Sequence, residues 1–93
     1  MPIFVVVSYD IPDDYRRNRL AELLLDYGNR VQKSVFECHL DKPGLRQLQS
    51  EVTSLINPQE DDVRFYRLCD RCLEHAEAWG KGEISEEPAY YLV

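Results

Sequence analysis

No stretch of this chain is long and apolar enough to cross a bilayer. The longest apolar run, Ile3 to Val7, falls far short of the roughly 20 residues that a spanning helix needs. No basic region precedes that run, so a secretory signal is not expected and the chain reads as cytoplasmic. Cysteine is scarce and odd in number: Cys38, Cys69 and Cys72 imply no disulfide framework. The four glycines form no phosphate-cradling loop. No nucleophilic triad is visible, since Ser8 and Ser34 lack an evident histidine partner and His39 and His75 lie far from Asp10 in sequence. A basic excess is missing too: the net charge of -6 argues against a generic nucleic-acid binder. That deficit is confined to residues 51–93, with four Lys/Arg against ten Asp/Glu, while residues 1–50 carry seven of each. A local basic patch in the first half can still meet phosphate.

What is present fits one small domain. Ninety-three residues, 44% of them hydrophobic, allow a single modest core. Ile3-Phe4-Val5-Val6-Val7-Ser8-Tyr9-Asp10 reads as a central strand buried on both faces, surfacing at its carboxyl end with Asp10. Pro12 suits the opening of a helix, and Asp13 and Asp14 suit its positive end as capping and solvated residues. Leu20, Leu23, Leu24 and Tyr27 form the helix's apolar stripe, and Gly28-Asn29 is expected to stop it. Residues 30–40 have strand character, as one bent strand or as a hairpin turning at Gln32-Lys33-Ser34. Leu45, Leu48, Val52 and Leu55 mark a second helix between Pro43-Gly44 and Asn57-Pro58, and residues 63–69 alternate as a strand with one wet face.

The fold class is therefore α+β: a ferredoxin-like βαββαβ single domain over residues 1–82, with residues 83–93 as a C-terminal tail strand. Tyr90 to Val93 have no place in the four-stranded core, and docking on a partner subunit would cover an exposed edge. A homodimer is expected.

Asp10 carries the chemistry. Mg²⁺ or Mn²⁺ takes one or two carboxylates plus substrate phosphates, so a two-fold axis beside Asp10 would let two copies share one ion. The plain alternative is a strand-end Asp capping the helix after Pro12. Arg16, Arg17 and Arg19, with Arg30 and Lys33 on the next segment, suit phosphate through charge-assisted hydrogen bonds. Arg16 and Arg19 share a helical face and Arg17 points elsewhere; the plain alternative is a solvated face paired with Asp13, Asp14 and Glu22. Cys69-Asp70-Arg71-Cys72 with His75 resembles half a zinc site or a redox dithiol, and Cys38 and His39 complete a metal site only if the fold brings them near. Reduced structural cysteines are the first reading.

Tyr9-Asp10 followed by Asp13-Asp14, then Arg16-Arg17-x-Arg19-Leu20, Tyr27-Gly28, and Arg30 through Cys38 together resemble the second CRISPR-associated protein family (Cas two). The later Val63 to Cys72 segment is similar to that family's final core strand and following turn. The resemblance implies a ferredoxin-like homodimer whose two Asp10 carboxylates face each other and hold a divalent metal in a phosphodiester-cleaving nuclease. By position, Tyr9, Arg17, Arg19, Arg30, Ser34 and Phe36 match residues linked to activity or substrate contact, with Ser34 or Tyr9 placing the water. It also implies duplex DNA or RNA as ligand and the CRISPR integrase (Cas one) as partner. A non-catalytic DNA scaffold with a vestigial Asp10 is the other reading.

Overall fold

In the computed structural model of the protein, residues 2–80 are described. Within them the chain runs β1 (Ile3–Asp10), α1 (Asp14–Leu25), β2 (Gly28–Gln32), β3 (Val35–Leu40), α2 (Lys42–Leu55), β4 (Asp62–Leu68) and the short α3 (Asp70–Glu74). The strands form one sheet in the order β2-β3-β1-β4, with every neighbouring pair antiparallel. β1 and β2 therefore run the same way without touching, as do β3 and β4, and each pair is joined through a helix and split by a strand inserted between them. That is the split βαβ arrangement expected from the alternation of strands and helices. Among the described residues no helix is long and apolar enough to cross a membrane. The expected tail strand, residues 83–93, lies outside the described residues.

Period-two alternation sorts β1. Val5, Val7 and Tyr9 point to the helices and are buried, together with Phe36, Cys38 and Leu40 of β3. Leu20, Ala21 and Leu24 of α1 and Leu45, Leu48 and Val52 of α2 close the core from above. Full burial of Leu20, Leu24 and Leu48 stabilises the fold by about 1.5–3 kcal/mol each. The strand is central but not buried on both faces, as the apolar run suggested. Val6 and Ser8 are only half-buried, because an antiparallel sheet needs helices on one face alone. Phe4, on that second face, is 5% exposed and meets His39 edge-on, ring centres 4.9 Å apart.

Two boundaries follow from specific side chains. Asp13 caps α1, its carboxylate accepting the Arg16 N–H at 2.9 Å, as the acidic pair after Pro12 implied. The other end departs from expectation: α1 stops at Leu25 with Asp26 as its cap, and Gly28-Asn29 instead opens β2. Gly28 is needed there for close approach. A Cβ at that position would collide with the Glu37 carbonyl and lie 2.5 Å from Cys38 Sγ. Residues 28–40 resolve as a hairpin, with Gln32 opposite Val35 and a register shift between Arg30 and Gln32.

Candidate active site

β1 delivers two neighbouring side chains in opposite directions. Tyr9 turns into the core, stacks near Phe36 at 6.3 Å between ring centres, and donates its hydroxyl hydrogen to the Lys33 carbonyl at 3.3 Å. Asp10 ends the strand exposed, and its carboxylate has no hydrogen bond or ion pair among the described residues. Since Asp13 caps α1, the capping alternative for Asp10 falls away.

The hairpin turn closes onto this strand end. The Tyr9 N–H donates to the Ser34 carbonyl at 3.1 Å. Arg30 gives two N–H groups to the Lys33 carbonyl, at 3.1 and 2.6 Å, with its guanidinium carbon 5.6 Å from the Phe36 ring centre. From α1, Arg17 donates to the Ile11 carbonyl at 3.0 Å and to the Asp14 carboxylate. These elements enclose an open cleft of about 470 Å³ that gathers Tyr9, Asp10, Arg17, Arg30, Lys33 and Ser34. Residues separated by up to 25 positions thus meet as the sequence suggested. Asn18, Ile11 and Ala21 also line it and were not foreseen; the helical spacing Arg17 to Ala21 was the available signal.

Three expected residues sit elsewhere. Arg16 turns away and clamps Asp61 through two hydrogen bonds of 2.8 and 3.1 Å. The Asp61 carboxylate, with no solvent exposure, also accepts the Asn57 N–H at 2.8 Å. The Arg16 guanidinium holds the Asp61 carboxyl below the usual carboxylate range, and the same contact raises Arg16. Arg19 is exposed on α1 outside the cleft lining. Phe36 is fully buried, so it forms the floor under Tyr9 and Arg30 and offers no face to a ligand.

The cysteines do not assemble a zinc site. Cys38 is buried in the core, where desolvation and then the Glu37 charge push its thiol up to about 11. His39 is on the opposite face against Phe4, and no three His, Cys, Asp or Glu side chains come together among the described residues. Among the described residues that line the cleft, a hard divalent cation finds one carboxylate, Asp10, and it is unengaged. Asp62 lies opposite it in register, with its own carboxylate bonded to Arg64 at 2.9 Å. One carboxylate beside three cationic side chains fits a magnesium-type ion whose other ligands are phosphate, water or a second carboxylate.

The model of the family described as CRISPR associated protein Cas2 matches residues 1–76. This chain belongs to that family. It is 42% identical over 88 residues to a Synechocystis sp. protein named CRISPR-associated endoribonuclease Cas2 3, covering 95% of this chain and 96% of the relative. A solved hypothetical protein from Thermus thermophilus superposes with a TM-score of 0.81 at 41% identity, over 92% of this chain and all of that one. A chain of a solved partial Cas6-RT-Cas1–Cas2 complex superposes with a TM-score of 0.72 at 32% identity, over 83% of this chain and 90% of its own.

Proposed function

We propose that this protein is a metal-dependent endonuclease of the adaptation stage of CRISPR defence, working in the cytoplasm as a homodimer with an integrase of the Cas1 type. The observation that carries the reading is the cleft itself. It sets an unengaged carboxylate, Asp10, beside Arg17, Arg30 and Lys33, the pairing of charges that a phosphodiester and its counterion require. Arg17 and Arg30 are already fixed by backbone carbonyls, so their remaining N–H groups meet phosphate oxygens without a large ordering cost. Lys33 adds a mobile charge. The Tyr9 hydroxyl hydrogen is committed to Lys33, so Ser34 is the hydroxyl better placed to orient water. Asp10, with its copy across the dimer axis, would hold Mg²⁺ or Mn²⁺, which when bound supplies Lewis acidity and lowers the pKa of a bound water. RNA is the first substrate to test, and duplex DNA the second.

The same cations support a second reading, a scaffold that holds duplex DNA between integrase subunits. The likeness to a chain of an integrase-containing complex favours it. One experiment separates the two: cleavage of RNA and duplex DNA by wild type and Asp10→Ala, with Mg²⁺, Mn²⁺ or EDTA, beside spacer integration in the same strain. The nuclease reading expects cleavage to fall on the order of 100-fold or more in Asp10→Ala and to stop in EDTA. Cleavage unchanged by the substitution sinks it. Cleavage lost with integration intact makes the scaffold the working role.

A further inference from the structure

The cleft makes no use of Cys69 and Cys72. Their sulfurs lie 3.2 Å apart, both residues are exposed, and the Cys69 sulfur accepts the Cys72 N–H at 3.4 Å. Neither side chain packs in the core, in contrast to Cys38. Two sulfurs with no third ligating side chain grouped beside them among the described residues fall short of the four ligands a structural zinc takes. A disulfide needs the sulfurs about 2.05 Å apart, so bond formation asks for an approach of only about 1 Å.

We propose that Cys69 and Cys72 form a redox-active dithiol, converted to an intrachain disulfide by low-molecular-weight thiol disulfides such as oxidised glutathione. The Cys69 thiolate attacks one sulfur of the small disulfide, forming a mixed disulfide and expelling one thiolate. Cys72 then loses its proton to that thiolate or to solvent and attacks the Cys69 sulfur, releasing the second small thiol. Two cysteine thiols are oxidised, one disulfide is reduced to two thiols, and the protons end on those products. The order of attack follows from the contacts. The N–H and S–H groups of Cys72 hold the Cys69 thiol below its ordinary range and the same pairing raises Cys72, which makes Cys69 the first nucleophile.

The pair is remote from the cleft. Leu68 is opposite Phe4 at the start of β1, whereas Asp62 is opposite Asp10, which separates the dithiol from the cleft by about 20 Å at ~3.3 Å per residue.

The sequence supplies a direct test. Trypsin cuts after Arg67 and Arg71, which places Cys69 and Cys72 on separate peptides, Leu68–Arg71 and Cys72–Lys81. The full chain, equilibrated in reduced and oxidised glutathione, acid-quenched and alkylated, should give these peptides joined, lighter than their sum by two hydrogens. The peptide bearing Cys38 should stay unlinked. Cys72→Ser should trap glutathione on Cys69, and Cys69→Ser should abolish the linked pair. Both cysteines alkylated as free thiols in oxidised glutathione, a stable mixed disulfide in the wild type, or a disulfide between two chains would each overturn the proposal.

Discussion

Arg16 and Arg17 are adjacent, carry the same charge and have unlike surroundings. Arg17 looks into the cleft beside Asp10, while Arg16 is committed to Asp61. Helical spacing already set Arg17 on a different face from Arg16; what was not legible is the Arg16 partner, which lies 45 positions away and is brought near only by the folded α2–β4 connection. Asp10 and Arg30 stood out from the residues themselves, as a carboxylate at a strand end and a cation on the next segment. Tyr9 and Ser34 came only from the family resemblance, because the hairpin that joins them was open against one bent strand. Lys33 and Arg30 lie in the half of the chain whose charges balance, which is why the overall acidity did not exclude a phosphate-facing patch. If Arg30 meets a phosphate, Arg30→Ala should make the log–log salt dependence of duplex binding shallower by about 0.9, read by fluorescence anisotropy at several salt concentrations. Arg30→Lys should recover the charge and lose the fork to the Lys33 carbonyl, so it restores binding only in part. Phe36→Ala removes the floor beneath both Arg30 and Tyr9 and should cost about 3–5 kcal/mol in urea unfolding.

Helices and strands were read well where a hydrophobic period decides them, and less well at their ends. The stripes of α1 and α2 and the alternation of β4 all appear in the fold. The Gly28-Asn29 pair was misread as a helix stop because glycine serves both C-caps and close strand contacts; only the proximity of Glu37 and Cys38 distinguishes them. Gly28→Ala should therefore destabilise the protein by about 1–3 kcal/mol through collision with the Glu37 carbonyl and Cys38, with the urea midpoint as the measure. The clamp between the start of α1 and the start of β4 carries a pH signature. Because the Asp61 carboxyl is lowered in the folded chain, its contribution is present above the ordinary carboxylate range. It is lost as pH falls through that lowered value. Asp61→Asn should be less stable than wild type at pH 7, and the gap should narrow as pH falls below the ordinary Asp pKa of about 3.9 and close only below the lowered value, as followed by circular dichroism in urea.

A single carboxylate in the cleft makes the assembly the unit of function in this reading. A homodimer should appear by light scattering, and removing residues 83–93 should shift it toward monomer if the tail docks on the partner's sheet. The dimer was expected from what one chain lacks, a second Asp10, and from an unplaced apolar tail. Topology was legible at this scale because two helices alternating with strands leave few arrangements in so short a chain. The Lys33-Ser34 turn has a practical consequence for anyone labelling the protein. Two residues join β2 to β3, and their carbonyls already receive Tyr9 and Arg30, so this loop has no slack to lend. An affinity tag, a dye linker or a circular-permutation joint placed there would pull the turn off β1 and dismantle the cleft wall. Ser54, exposed on α2 with its hydroxyl bonded only within its own helix, is the better attachment point.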